Sequence, residues 1–594
     1  MLAPSTPVPM TAMRMDLGER CHTGCNSELL YQLGLSPAQI LHSALRNPAA
    51  KTTGWACGVL WYDAMKDERM QASEAQTTTS QAPGETRSPF THQQIVKVLS
   101  GVLLCIFLAA IDQTVVIPAV PAMAADLNGF SHLAWIVSAY LLTSTAMTPI
   151  YGKLSDIYGR RPLLLIALAV FALASVFCGC ATSLGQLITA RALQGMGGAG
   201  LMAMAQAAIA DVVSPRERGR YQGYMATTWG IASVAGPVIG GWATEALSWR
   251  WIFWVNLPIA LVAMLLCDRA LRLLQPRAQR ARIDWVGAGL LTAAISAWLL
   301  LLSWGGVEMP WTSPPILGLG AAGSVLILLL ARQERQFPDP LLPPRLFANP
   351  VFVRGVAIAF CAALALFGGS FLLPLFFQLV RGVDPAASGA LVVPFLGANC
   401  VGAWCAGALA RRRGKMKAIL VAGLSGCVLG LGLLALVNAA TPRFVLIAFQ
   451  MVLGFSLGMV MPSSLVCVQN AAERRDIGAA TGCVLFLRSM GGAFGSTLVG
   501  ALLASGFASR LTAIGITAHI DLGEVRHGGG ALAEVPAALL PQVQVALAGA
   551  FHIAFLACAI AMAAAVAIAL GMRDLPLRAA PASEPSPQPA TLAH

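Results

Sequence analysis

Long apolar segments separated by short polar breaks follow one another from Lys97 to about residue 571. Segments of about 18 or more apolar residues predict membrane-spanning helices, because the hydrocarbon core is roughly 30 Å thick and a helical residue rises about 1.5 Å. The pattern predicts fourteen spans, at 97–118, 133–151, 162–181, 187–210, 221–246, 251–268, 285–304, 315–331, 351–378, 387–410, 418–437, 443–468, 478–504 and 546–571. The chain is therefore predicted to be an all-α integral membrane protein.

Composition supports this class. Of the 594 residues, 57% are hydrophobic and 11% are charged, whereas a soluble domain carries roughly 25% charged residues. A formal net charge of +12 could by itself indicate nucleic-acid binding. The basic residues, however, lie in short loops between apolar segments, as in the inner loops of membrane proteins. The predicted partner is the lipid bilayer, and no nucleic acid is predicted.

The distribution of the basic residues orients the predicted spans. With the N-terminus inside, the predicted inner loops hold 21 Lys and Arg residues and the outer loops hold five. Lys and Arg in short loops favour the cytoplasmic side, so both termini are predicted to be cytoplasmic. The five outer residues are Arg250, Arg381, Arg443, Arg510 and Arg526.

The N-terminal segment, residues 1–95, differs from the rest because it is polar and clusters Ser, Thr, Gln and Pro near its end. This composition predicts a disordered cytoplasmic extension; the alternative is a translation start at Met65 or Met70. The CHTGC motif at 21–25 matches no standard zinc-ligand spacing and has no evident fourth ligand. No metal site is predicted.

The chain contains an internal repeat. GKLSDIYGRRP, Gly152–Pro162, aligns with GALARRRGKMK, Gly407–Lys417, at an offset of 255 residues, and further matches follow at an offset of 256. Matched pairs include Gly152 with Gly407, Gly159 with Gly414, Gln194 with Gln450 and Gly198 with Gly454. Because each copy begins and ends on the same side, the copies are predicted to be parallel repeats related by an axis along the membrane normal.

The repeat predicts the domain organisation. Residues 96–270 and 350–572 are each predicted to form a six-helix bundle, with an inserted two-helix segment at 271–349 and a cytoplasmic tail at 573–594. Such an architecture places a substrate cavity between two bundles that rock about it. The fold alone does not name the cargo.

Several motifs together resemble those of one family. GKLSDIYGRR resembles the signature loop of the major facilitator superfamily, RALQGMGGAG (Arg191–Gly200) its arginine motif, and GIASVAGPVIGG (Gly230–Gly241) its antiporter motif. LAAIDQTVVIPAVPAM (Leu108–Met123), SWRWIFWVNLP (Ser248–Pro258) and IDWVG (Ile283–Gly287) are similar to its fourteen-helix drug:proton antiporter branch. The resemblance covers about residues 97–572.

Charged residues inside spans are candidates for proton coupling and for the substrate cavity. A charge at mid-helix costs roughly 2.5–3.5 kcal/mol on insertion scales, so it usually faces a cavity, pairs or carries protons. Asp112 is the predicted protonatable group, and the resemblance implies Arg191 as the partner that tunes proton binding. Gln194 and Arg488 are further candidates. The alternatives are a polar helix end for Asp112 and a structural pairing with the backbone or Gln194 for Arg191.

Other candidates are weaker. Asp211 and Glu245 lie near span ends and are predicted to be solvated. Aromatic and Met side chains could line a cavity for hydrophobic cargo or equally pack and anchor; they are Trp135, Tyr140, Met202, Met204 and Trp229.

The signature loop is predicted to act as a hinge and latch built from Gly152, Asp156, Gly159, Arg160 and Arg161. The two glycines allow the chain to reverse tightly, and Asp156 can accept hydrogen bonds from Arg160 or from a helix N-terminus. The alternative, in which the basic residues only set topology, does not explain Asp156. In the second copy Arg411 takes its place.

The antiporter motif holds Gly230, Gly236, Gly240 and Gly241 together with Pro237. Glycines permit close helix contact and proline bends a helix, so this span can seal one side of the cavity against proton leakage. Ordinary small-residue packing is the alternative.

The predicted function is proton-coupled export of hydrophobic, drug-like compounds across the bacterial cytoplasmic membrane, driven by the proton gradient and without a cofactor. No Walker loop or HExxH motif occurs, so ATP is not the evident energy source and no enzyme is predicted. The alternatives are a narrow-substrate exporter of a metabolite, siderophore or antibiotic and, more remotely, a non-transporting membrane sensor. The need for a periplasmic adaptor protein as a partner is open.

Overall fold

The computed structural model describes residues 91–127, 134–272, 283–306, 309–383, 385–438, 440–513 and 540–577. Nearly all of the predicted extension, the CHTGC motif and most of the predicted tail lie outside these ranges. Within them the regular structure is helical apart from two isolated β-bridges. This agrees with the all-α prediction.

Fourteen helices of sixteen or more residues lie in the described ranges, and each overlaps one predicted span. They are α1 His92–Val115, α2 Ala134–Tyr158, α3 Arg160–Gly179, α4 Leu184–Val212, α5 Pro215–Ala246, α6 Asn256–Leu271, α7 Trp285–Trp304, α8 Pro314–Gln336, α9 Pro350–Leu379, α10 Pro385–Arg413, α11 Lys417–Ala435, α12 Arg443–Ala471, α13 Ile477–Ala513 and α14 Leu540–Leu570. Short helical turns lie at Ile117–Ala119, Val120–Asp126, Trp251–Trp254, Pro344–Ala348 and Arg474–Asp476.

Eleven helical segments of the described part are long and apolar enough to cross a membrane, which makes the chain a multi-pass membrane protein. The long helices outside this set are α2, α4 and α5, which carry the charged and glycine-rich motifs. Much of α4 is buried against other helices rather than exposed. A count of fourteen spans therefore stays a prediction.

The signature segment is not a loop. Helix α2 continues through Gly152 and Asp156 to Tyr158, and Gly159 alone separates it from α3. Gly159 has φ +88°, a conformation that favours glycine. The predicted reversal at Gly152 is wrong, because this glycine lies inside α2, where a Cβ would meet the backbone of Gly478.

The same helix pairings occur twice in the chain. In the first half, α1–α6, helix α1 packs on α4, α5 and α6, and α4 packs on α2 and α3. In the second half, α9–α14, helix α9 packs on α12, α13 and α14, and α12 packs on α10 and α11. Each half also has its own large hydrophobic core.

The most extensive contacts between the halves are those of α2 with α13 and of α5 with α10. Both meet at glycines, Gly152 against Gly478 and Gly219 against Gly407, where backbones touch so closely that a Cβ on Gly407 would overlap Gly219. Nearby, Trp404 Nε1 donates to Thr227 Oγ1 at 3.1 Å. These contacts hold the halves together at the end of the molecule that is predicted to be cytoplasmic.

Candidate functional site

A carboxylate buried in the first half is the centre of a polar network. Asp112 Oδ2 accepts from Arg191 Nη1 at 2.8 Å, and both side chains are almost fully excluded from water, at 0% and 1% exposure. Asp112 Oδ1 accepts from Gln194 Nε2 at 2.9 Å and from Asn256 Nδ2 at 2.8 Å. Opposite charge and neutral donors together compensate the carboxylate, as a buried ion pair requires.

The network lies near the predicted outer ends of its helices. Asp112 is in the last turn of α1, Arg191 is in the second turn of α4 and Asn256 is the first residue of α6. Asp112 does lie at the end of its helix, as the alternative interpretation holds. Its side chain, however, is buried inside the protein and paired with Arg191.

Arg191 makes four further contacts. Its Nε donates to the carbonyl of Ile136 at 3.3 Å, and its Nη1 also donates to Gln194 Oε1 at 2.7 Å. The guanidinium lies 4.5 Å from the centre of the Tyr140 ring and 5.9 Å from that of Phe253, within the range of a cation–π contact. Arg191 therefore makes the expected pairing with Gln194 and the backbone as well as the ion pair with Asp112.

Two members of the network were not predicted. Asn256 gives only a weak signal, as a polar residue in the WIFWVNLP run, and Ser175, which accepts from Gln194 Nε2 at 2.7 Å, gives none. In the sequence Ser175 is an ordinary small residue of α3, and only the packing of α4 beside α3 brings it to Gln194. Three-dimensional packing alone connects them to Asp112.

The glycines of the arginine motif bring the helices close enough for these bonds. A Cβ on Gly195 or Gly198 would overlap α2 at Tyr140, and one on Gly197 would overlap α3 at Phe171. Without side chains there, α4 approaches both neighbours closely. This spacing lets Gln194 span Asp112 and Ser175.

Asp156 joins the two halves. Its carboxylate accepts from the backbone N–H groups of Gly478 at 3.0 Å and Ala479 at 2.9 Å, the second and third residues of α13. It also pairs with Arg160 Nη2 at 2.7 Å. A carboxylate at a helix N-terminus neutralises the positive end of the helix dipole, so Asp156 of the first half caps a helix of the second.

The two signature arginines make different contacts. Arg160 also bonds to Ser155 and pairs with Asp211 Oδ2 at 2.8 Å. The prediction that Asp211 is solvated is wrong: its side chain is 14% exposed, because the C-terminal turn of α4 packs beside the start of α3. Arg161 pairs with Asp268 of α6 at 2.6 Å, a contact within the first half. Glu245 is exposed.

A second carboxylate supports the start of α13. Arg345 donates to both oxygens of Asp476, at 2.9 and 2.8 Å, and Asp476 directly precedes Ile477. The connection between α8 and α9 thus contacts the same helix terminus that Asp156 caps. No motif in the sequence indicated this pair.

The glycines of the antiporter motif fall into two groups: those in close contact with α1 and those that are not. Gly236 and Gly240 pack so tightly on Thr114 and Val115 of α1 that a Cβ would overlap them, and Thr114 Oγ1 donates to the Ala232 carbonyl at 3.0 Å. A Cβ on Gly230 would meet only Cys400 Sγ of α10, and one on Gly241 would meet nothing within 4 Å. Pro237 is exposed within α5. Close helix contact is therefore a property of Gly236 and Gly240.

Arg488 lies far from Asp112 in the chain and in a different half. Its Nη2 donates to the Met461 carbonyl and to Ser464 Oγ of α12, the latter at 3.1 Å. Among the described residues it forms no ion pair. The structure thus places Arg488 outside the Asp112 network.

The aromatic and Met candidates do not form one group. Tyr140 and Met204 are buried in the first-half core, and Trp135 packs edge-on against Trp304 of α7 at 6.0 Å. Met202 and Trp229 are partly buried against that core. Tyr140 belongs to the Arg191 site rather than to a lining for cargo.

Residues Gly454–Gly458, GFSLG, match the spacing of a hydrolase nucleophile motif. They lie inside α12, with Ser456 Oγ bonded to the Val452 carbonyl at 2.7 Å, whereas that motif needs a strand-to-helix turn. Within the described ranges, no three His, Cys, Asp or Glu residues are grouped so that they could hold a metal ion.

Comparison with known proteins agrees with the sequence motifs. The Major Facilitator Superfamily profile matches residues 102–496. The chain is 35% identical to the multidrug transporter protein MdtP of Bacillus subtilis over 407 residues, 68% of this chain and 74% of the relative. It is 36% identical to the MFS-type efflux pump LUC4 of a Fusarium species over 408 residues, 67% of this chain and 72% of that one.

Solved structures show the same fold at low sequence identity. The human organic anion transporter MFSD10 superposes with a TM-score of 0.53 at 16% identity, covering 80% of this chain and 99% of the other. The proton:xylose symporter XylE superposes with a TM-score of 0.52 at 14% identity, covering 83% and 98%. The chain therefore belongs to the Major Facilitator Superfamily, as an efflux-type membrane transporter and not an enzyme.

Proposed function

We propose that the protein exports hydrophobic, drug-like compounds across the bacterial cytoplasmic membrane in exchange for protons, by alternating access through fourteen spans with both termini inside. The observation that carries the proposal is the buried Asp112–Arg191 pair. Ionisable residues inside membrane spans are costly and mark proton or substrate pathways. The proton gradient supplies the energy, and no cofactor takes part.

The proton step acts on the Asp112 network. A proton taken up from outside neutralises Asp112, leaves the charge of Arg191 uncompensated and weakens the bonds from Gln194 and Asn256, which favour the charged acceptor. Because the network joins α1, α3, α4 and α6, its rearrangement moves these helices relative to one another. Release of the proton on the inner side restores the pair.

The latch acts at the predicted cytoplasmic end. Asp156 holds the N-terminus of α13 in the present arrangement, and the glycine contacts between α2 and α13 and between α5 and α10 let the halves close there. Opening this end breaks the bonds of Asp156 to Gly478 and Ala479. The closed end and the latch are thus formed and lost together.

Asp112→Asn is expected to abolish proton-driven efflux and leave downhill exchange of substrate. The amide keeps the shape and one acceptor oxygen but cannot release a proton at neutral pH. The measurement is export of a fluorescent apolar dye from proteoliposomes, with and without an imposed pH gradient. Asp126→Asn is the matched control, because Asp126 forms an exposed pair with Arg250. Unchanged gradient-driven efflux in Asp112→Asn would show that Asp112 does not carry the coupled proton.

Asp156→Asn is expected to open the predicted cytoplasmic end. A charge at a helix terminus contributes up to about 2 kcal/mol, so the ratio of closed to open protein should fall by up to about thirtyfold. Distances between spin labels at Tyr158 and Glu473, both exposed, report the change. Asp268→Asn is the control, since Asp268 binds Arg161 within one half. Equal distance distributions in both variants would contradict the latch.

Flux direction separates export from symport. Under an imposed gradient that is acidic on the outer face, an exporter lowers the internal concentration of its substrate, whereas a symporter raises it. Susceptibility profiling with a chemically diverse panel, in a strain without its own pumps, separates a broad exporter from a narrow one.

A further inference from the structure

Arg488 is a cation deep in a predicted span, and no acidic side chain in the described part of the chain pairs with it. It lies eleven residues after Ile477, about 16 Å along α13, and its side chain is part-buried. Its bonds go to a carbonyl and a hydroxyl of α12. These acceptors form hydrogen bonds with the guanidinium, but they carry no negative charge and do not neutralise it.

The long helices of the second half hold no acidic residue that could neutralise Arg488. Helices α9–α14 contain no Asp or Glu within their bounds, whereas in the first half Arg191 is paired with Asp112. An uncompensated cation at this depth is costly and marks a functional position. The missing negative charge must come from outside these helices.

The free side of the guanidinium suits an anion. Arg488 Nε is buried and has no hydrogen-bond partner within the described ranges. A charged guanidinium N–H forms a strong hydrogen bond with a carboxylate or sulfonate oxygen. Because Nη2 already donates to Met461 and Ser464, the Nε–H is the one donor left on this edge, and it can form a single charge-assisted bond to an anion.

An apolar surface continues from this cation. Gly492 lies one helical turn beyond Arg488 on the same face of α13, and a Cβ there would overlap the ring of Phe367. That ring, on α9, is 49% exposed. A cation and a partly exposed aromatic ring are thus neighbours along one helix face.

We propose that Arg488 binds the acidic group of an amphiphilic cargo, a hydrophobic organic anion whose apolar part lies toward Phe367. This inference rests on the proposed function, because it names the substrate class of the same exporter. In this scheme Asp112, in the first half, binds the proton, and Arg488, in the second half, binds the cargo.

The test compares two probes that differ in one group. 1-Pyrenebutyric acid carries a carboxylate, and 4-(1-pyrenyl)butanol has the same ring and chain without the charge. In the purified full-length protein, Arg488→Gln is expected to raise the Kd of the acid about tenfold or more and to leave that of the alcohol within about twofold. Arg488→Lys keeps the charge and should retain most of the acid affinity.

Two results would overturn the inference: an equal Kd of the acid in the wild type and Arg488→Gln, or an equal loss for both probes. Monodisperse elution of both variants, and intact binding of the alcohol, separate a lost charge contact from misfolding. Gradient-driven export of the alcohol by wild type and Arg488→Gln tests the proposed function separately. If the alcohol is exported but Arg488→Gln does not change the Kd of the acid, the role of Arg488 is wrong and the exporter function stands. If neither probe is exported but acid binding depends on Arg488, the exporter function is wrong and the role of Arg488 stands.

Discussion

Arg191→Gln is expected to destabilise the protein by about 3–5 kcal/mol, because breaking a buried ion pair leaves an uncompensated charge inside the protein. Asp112 is 0% exposed, so water cannot replace the lost guanidinium. The variant also loses the bond to the Ile136 carbonyl and the stacking on Tyr140. We therefore expect the largest stability loss of any single arginine replacement in the first half.

The measurement is thermal unfolding of the purified protein in detergent. Arg272→Gln is the matched control, since Arg272 is 64% exposed and pairs with Asp268; exposed pairs contribute about 1 kcal/mol or less. The double variant Asp112→Asn, Arg191→Gln leaves no unpaired charge and should recover part of the loss while remaining unable to couple to protons. A melting temperature of Arg191→Gln equal to that of the control would contradict the compensation argument.

Gly407→Ala is expected to prevent closure of the predicted cytoplasmic end and to abolish efflux. A Cβ on Gly407 would overlap the backbone of Gly219 in α5, and backbone cannot move aside as a flexible side chain can. Overpacking typically costs about 1–3 kcal/mol, and here the cost falls on the closed arrangement alone, since the two glycines part when the halves separate. The protein should therefore accumulate in the state open to the cytoplasm.

Gly397→Ala on the same helix is the matched control. Its Cβ would meet nothing within 4 Å, and alanine favours a helix over glycine by about 1 kcal/mol, so stability should be equal or slightly higher. Efflux and the distance between labels at Tyr158 and Glu473 are measured for both variants. Full efflux by Gly407→Ala would show that the contact between α5 and α10 is not required for closure.

Much of the architecture could be predicted because lipid imposes a simple pattern on the chain. Each predicted span contains a long helix, and the offset between Gly159 and Gly414 corresponds to two turns with positive φ, +88° and +65°. One boundary error occurs where charged side chains are buried: α2 runs past residue 151 to Tyr158, and Lys153, Asp156 and Arg160 lie largely out of water there. A hydropathy pattern treats every charged residue as exposed, so it predicts a loop at these positions.

The sequence by itself determined the helical membrane class, the repeat and the residues that carry charge inside spans, because each follows from local composition or from self-similarity. It could name Asp112, Arg191 and Asp156, but it missed Asn256 and Ser175 and predicted the wrong surroundings for Asp211, because these depend on contacts between different helices. Only the tertiary structure decided that Asp156 caps α13 in the opposite half, that Gly152 packs rather than turns, and that Arg488 has no acidic partner among the described residues. The physical reason is that burial and pairing depend on which helix lies opposite, and that choice is made by packing across both halves.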